Sequence, residues 1–245
     1  MKKHFNGFTL AEVLITLGII GVVAAMTMPT LINQTNGAQY KAAYKKALSA
    51  IAQGVTLNVA LDGGSFADAV KGTAGSIAKP AAGDSVASIL NSRMNIVKAG
   101  GVPTGYTFVK GADADSDITQ ASADTYLFFN DGIMFAYKNN DVAACTQDGN
   151  VTGHKVCTGF IDVNGLKGPN KVVTCDTGKY TAGTPAKDAV TCGEDETDCT
   201  PSAAQAATEA SCSSVSNPTD IYPVMFYDQT VLPASAAAKA VLYGK

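Results

Sequence analysis

The sequence predicts an α+β fold: one long N-terminal helix, membrane-spanning over its first half, packed on the antiparallel β-sheet of a globular head. Three observations predict it. An apolar run extends from Phe8 to Ile32, a helical period follows it to Leu61, and past residue 105 the period becomes that of strands. The boundaries drawn on this basis are a leader at residues 1–7, a spanning helix at 8–32, an amphipathic continuation at 33–61 and a head at 62–245.

The apolar run has 25 residues and a single ionisable side chain, Glu12. As a helix it would reach about 37 Å, enough to cross a hydrocarbon core of about 30 Å. Lys2 and Lys3 precede it, and the next charge is Lys41. The positive-inside bias therefore places the N-terminus in the cytoplasm and the head outside. A secretory signal would be cut after such a run, but Ala24-Ala25-Met26 makes a poor site. The sharper junction is Gly7-Phe8, before the run. The competing expectation is an uncleaved anchor.

Glu12 separates the two. A carboxylate in a spanning helix costs about 2.5–3.5 kcal/mol, which a simple anchor has no reason to bear. Cleavage after Gly7 would free the amine of Phe8 as a counter-charge, in the same helix or on a neighbouring subunit. Pro29 lacks the N–H that would reach the carbonyl of Ala25, and Gly21 loosens the backbone upstream, so 21–29 is expected to kink or partly melt.

The stretch GFTLAEVLITLGIIGVVAAMTMPTL, Gly7 to about Leu31, resembles the cleavage and methylation motif of type IV prepilins and type II secretion pseudopilins. The resemblance implies a pilin-like fold and cleavage between Gly7 and Phe8 by a prepilin peptidase that also N-methylates Phe8. It implies that Glu12 neutralises the amine of an adjacent subunit during assembly, and that helices unwind near Gly21 and Pro29 in filaments. The implied partners are further copies of the chain, other pilins or pseudopilins, and the inner-membrane assembly platform. The implied location is the inner membrane, then a periplasmic or cell-surface filament.

Beyond Gly37, Tyr40, Tyr44, Ala47, Leu48, Ile51 and Val55 form an apolar stripe, and Asp62-Gly63-Gly64 ends it. A second helical stripe runs through Val86, Ile89, Leu90, Arg93, Met94 and Val97, capped by Asp84 or Ser85 and stopped at Gly100-Gly101. Strands are expected at Tyr106–Val109, Phe160–Val163 and Tyr222–Tyr227. A hairpin is expected from Thr125–Phe129 and Ile133–Tyr137 around Asn130-Asp131-Gly132.

Composition narrows the functional classes. The 245 residues are 46% hydrophobic and only 16% charged, with a net charge of −3. An acidic chain with one arginine repels phosphate backbones unless basic residues cluster locally, and nothing points directly to nucleic acid. The two histidines, His4 and His154, and the absence of phosphate-loop or hydrolase motifs give the expectation that the chain is not an enzyme.

Cys145, Cys157, Cys175, Cys192, Cys199 and Cys212 all lie in the head, which suggests disulfides formed outside the cytoplasm; the spacing does not choose among pairings. Asp113, Asp115, Asp117 and Asp124 imitate the spacing of a calcium loop but lack its glycine and final glutamate. Asp162 and Asn164 offer oxygens beside the turns at Gly165 and Gly168-Pro169, either as Asx-type turns or as calcium ligands. The stretch from Asp162 to Asn170 also resembles one common in pseudopilin-like heads, many of which bind calcium in a late loop. By that resemblance residues 172–217 are an insertion, since the comparable Asp220-Ile221-Tyr222 comes about 50 residues later than in relatives. The rival reading is a membrane-anchored binding protein or adhesin that uses the helix only as a tether.

Overall fold

A computed structural model describes residues 9–111, 118, 122–139, 145–146, 156–183, 190–192, 199–201 and 209–244. Helix α1 runs unbroken from Leu10 to Asp62. Thr9 caps its start, and Gly63, at φ 79°, closes it by donating to the carbonyls of Asn58 and Val59. A left-handed residue here is cheapest as glycine. The single chain shows no melting at 21–29: it stays helical through Gly21 and Pro29. Long apolar side chains on both sides of Pro29 favour the helix, and proline removes only one donor from it.

The two halves of α1 have different surfaces. Leu14, Ile20, Met26 and Leu31 are exposed, whereas Tyr44, Ala47, Leu48, Ile51 and Val55 are buried against the head. Helix α2 is shorter than expected, Val86–Arg93, with Ser85 as N-cap. Residues Ile96–Gly100 form strand β1 instead of its continuation. Extended geometry turns Val97 outward, 67% exposed, and lets the segment pair with the free edge of the hairpin.

The main sheet is antiparallel and six-stranded. Its order is β1, β2 (Thr125–Phe129), β3 (Met134–Tyr137), β4 (Cys157–Asp162), β9 (Ile221–Tyr227), β10 (Thr230–Pro233). Helix α3, Ala236–Tyr243, follows β10. Strand alternation sends Leu127, Phe135, Tyr137, Ile161, Tyr222 and Phe226 to the helix-covered face. It sends Tyr126, Met134, Ala136, Phe160 and Ile221 to the opposite face, where Tyr106 and Val172 cover them. The expected strand at Tyr106–Val109 is reduced to one parallel bridge, Val109 with Lys171. Its aromatic side chains lie across the sheet as a lid, with Phe108 edge-on to Phe160 at 5.3 Å.

Two small pairs lie within the expected insertion. Strand β5 (Tyr180–Thr181) pairs with β8 (Ser211–Cys212), and β6 (Val190–Cys192) pairs with β7 (Cys199–Pro201). Cys145–Cys157 and Cys175–Cys212 are disulfides. Cys192 and Cys199 stand opposite each other in the backbone register of β6 and β7. Val172 and Val173 are fully buried in the head, so the residues at the insertion's expected start belong to its core.

Gly159 sits at the centre of β4, where a methyl group would meet the Ala136 carbonyl oxygen at 2.5 Å. Gly159→Ala is expected to destabilise the head by about 1–3 kcal/mol, read by denaturant titration. Replacing Cys175 and Cys212 together by serine should cost about 2–4 kcal/mol, because the bond closes a loop of 37 residues. The same titration checks this.

Candidate functional site

The N-terminal site is built by the first turn of α1. The Thr9 hydroxyl accepts from the Glu12 backbone N–H at 3.3 Å. The Glu12 carboxylate accepts from the Thr9 backbone N–H at 2.8 Å and from its hydroxyl at 2.9 Å, both on Oε2. This reciprocal capping box satisfies donors that a helix start leaves open. Both side chains are exposed on the described chain. The apolar motif alone did not single out Thr9; the Thr-x-x-Glu spacing was the available signal. Gly7 and Phe8 lie outside the described residues.

Beyond Glu12 the helix is apolar all round and passes the length and composition required to cross a membrane. Its polar side chains up to Ile32 are three threonines, and each hydroxyl donates to its own helix. Thr16 bonds the Val13 carbonyl at 3.0 Å, Thr27 that of Val23 at 3.0 Å, and Thr30 that of Thr27 at 2.8 Å. Such back-bonding removes the need for water along the span. Gly21 has no neighbour in the single chain, and a side chain there would meet open space.

The loop after β4 is the second candidate. Asp162 is fully buried. It accepts from the Tyr106 hydroxyl at 2.7 Å and from the Asn164 backbone N–H at 3.1 Å. Asp220, also fully buried, accepts from the backbone N–H groups of Asn170 at 2.7 Å and Lys171 at 2.8 Å. The Asn164 amide donates to the Gly168 carbonyl at 3.1 Å. Two inward-facing aspartates thus strap the turn-rich loop to the sheet. Asp162 does not fit a calcium ligand, because it is sealed from solvent and both its oxygens already take protein donors, whereas the Oδ1 of Asn164 is buried without a hydrogen-bond partner. Asp124 accepts from the Asn139 backbone N–H at 2.7 Å and from the Thr125 hydroxyl at 3.1 Å, both on Oδ1. Asp113, Asp115, Asp117 and His154 lie outside the described residues, as do the side chains of Cys192 and Cys199.

Burial pushes the Asp162 carboxyl up to about 7 from its ordinary 3.8. The Tyr106 hydroxyl opposes the shift, the charge of Asp220 adds to it, and the backbone N–H groups of Asn164 and Gly165 oppose it. Burial and the neighbouring Asp162 charge also drive the Tyr106 hydroxyl upward.

Residues 2–28 match the family model described as the prokaryotic N-terminal methylation motif. This is the prepilin-type cleavage and methylation motif of type IV pilins and pseudopilins. No curated protein and no solved structure matches the chain. The motif marks a type IV pilin- or pseudopilin-like precursor. The apolar helix behind it fits a membrane-anchored, single-pass protein.

The raised Asp162 value has a sign that can be tested. Between about pH 4 and about pH 7 the folded chain holds a proton that the unfolded chain has released. Stability should therefore fall as pH rises through that window and level off above it. Asp162→Asn should flatten this slope. Denaturant titrations of the detergent-solubilised chain across the window measure both.

Proposed function

We propose that the chain is a structural subunit of a type IV pilus or a type II secretion pseudopilus, not an enzyme. Prepilin peptidase cuts it between Gly7 and Phe8 and methylates the new amine. The mature subunit waits in the inner membrane with its head outside, and the assembly platform then draws it into a helical filament. Its helices form the filament core, and its heads tile the surface beside those of other pilins or pseudopilins.

One observation carries this reading: a single carboxylate, Glu12, at the start of an otherwise apolar helix inside the matched motif. In the single chain Thr9 holds Oε2 of that carboxylate. Oε1 takes no part in the cap. A neighbouring subunit's Phe8 ammonium, made by cleavage, is the chemical group that completes the pair and removes the cost of an uncompensated charge in hydrocarbon. Pairing across subunits also fixes the axial offset between helices, since a one-turn slip separates the charges by about 5.4 Å. Gly21 and Pro29 supply the backbone freedom needed to adjust the helix during packing.

The experiment is done in cells that contain prepilin peptidase. N-terminal mass analysis should find the chain beginning at Phe8 with one added methyl group, and retention of residues 1–7 overturns the reading. Glu12→Ala should still enter the membrane but yield no filaments by electron microscopy. Normal filaments from that variant would favour the helix as a mere tether.

A further inference from the structure

The head begins very close to the end of the spanning segment, and this proximity assigns a surface. Ile32 ends the apolar run, and Gly37 follows about 7.5 Å further along the helix. A bilayer adds about 5–7 Å of polar headgroup on each side of its hydrocarbon core. At Gly37 the head already touches α1: the glycine is buried, and a methyl group there would meet Cδ of Pro218 at 3.0 Å. Beside this contact Asn36 and Tyr40 of α1 share an open cleft of about 610 Å³ with Gly168, Pro169 and Asn217. The floor of the head therefore meets the outer edge of the headgroup layer whenever α1 spans a membrane.

The chemistry of the floor suits that depth. Leu166, at 51% exposure, presents an apolar side chain to solvent. Lys167 next to it is exposed, as is Lys45 on α1. Side chains on a helix tilt toward its N-terminus, so Lys41 and Lys45 lean toward the membrane. Lys41 also holds the Gly244 carbonyl at 3.1 Å. Among the nearby acids, Asp176 keeps its charge at the surface, its carboxylate accepting from Ser214 and Ser216. Asp162 and Asp220 are fully buried, and Asp131 is paired with Lys46 at 2.8 Å.

We propose that this floor, centred on Leu166 and Lys167, is a docking surface for the anionic lipid headgroups of the outer leaflet while the chain is in the membrane. The exposed leucine enters the interface, and the lysines meet phosphates. Extraction of the subunit then has to break a head–lipid contact as well as withdraw the helix. The inference rests on the membrane-spanning part of the proposed function.

The chain contains no tryptophan, so a single introduced one is a unique reporter. Leu166→Trp, Ile20→Trp and Val97→Trp are each placed in the full chain. The carriers are nanodiscs of phosphatidylcholine and phosphatidylglycerol whose acyl chains are brominated near the headgroup or near the bilayer centre. Val97 is the distant control, because it follows Met94, which packs on Gly54 well above the membrane. The expected result is blue-shifted emission from L166W with a loss of intensity to shallow bromines, deep quenching of I20W, and neither effect for V97W. Adding Lys167→Glu to L166W should reverse its shift in anionic discs. If L166W matches V97W while I20W is quenched, the head stands clear of the lipid; the proposal falls and the pilin reading survives. Unquenched I20W would overturn the spanning helix and this proposal together. Shielding of L166W only in assembled filaments would give the floor to a neighbouring copy, and the proposal would again fall.

Discussion

Hydrocarbon supplies no hydrogen-bond partner, and α1 has to satisfy that constraint while remaining continuous with a helix that folds in water. Its first half meets the constraint by turning every threonine hydroxyl back onto its own carbonyls. Its second half buries one stripe and leaves lysines on the others. Glu12 alone cannot be satisfied as an apolar residue is. The Thr9 cap gives its carboxylate two donors, but hydrogen bonds do not cancel a formal charge. On the proposed function, cleavage within the motif at residues 2–28 would supply a cation where the helix has none.

The same helix fixes the head. Tyr44 on α1 stacks on Tyr222 of β9 with centroids 4.0 Å apart and planes 9° from parallel. Phe226, further along β9, meets Phe66, Phe135 and Tyr137 edge-on. One strand thus joins the helix layer to the centre of the sheet. Asp220, immediately before β9, and Asp162, at the end of β4, pin the intervening loop through backbone N–H groups. Helix, sheet and floor loop are consequently held by neighbouring residues of two paired strands.

Much of this was legible from periodicity. The apolar run and the stripe from Tyr40 to Val55 indicated α1, and Asn130-Asp131-Gly132 between aromatic runs indicated the β2–β3 hairpin. The failures have physical causes. Ile96–Gly100 carries apolar residues that fit a helical stripe, and only the free edge of β2 made it a strand. Tyr106–Val109 has strand composition, but tertiary packing used its aromatics as a cover. Strand β10 and α3 went unnoticed because the turn at Asp228-Gln229 contains no glycine, although Asp228 adopts φ 49°, and because Ala236–Ala238 shows little amphipathic contrast. At the site, Glu12 was evident as the one charge in its run. Its partner Thr9 was not, since a threonine beside apolar residues has no contrast in charge. Asp162 looked like an oxygen ligand because sequence does not reveal which way a carboxylate faces.

The cysteines follow from the same division of labour. A spanning helix gains nothing from cross-links, and none lies before residue 145. The chain between Cys175 and Cys212 is poor in large apolar residues, so its sequence offers little apolar surface to set against its own ordering entropy. It is held at its base by the disulfide, by Asp176 accepting from Ser214 and Ser216, and by the Glu209–Lys239 pair to α3 at 2.9 Å. These anchors are made between residues of the head. Sequence can therefore change between them without altering either the apolar helix or the strands that grip it. That confines the cross-links to the head and leaves the helix free to meet the fixed demands of the bilayer.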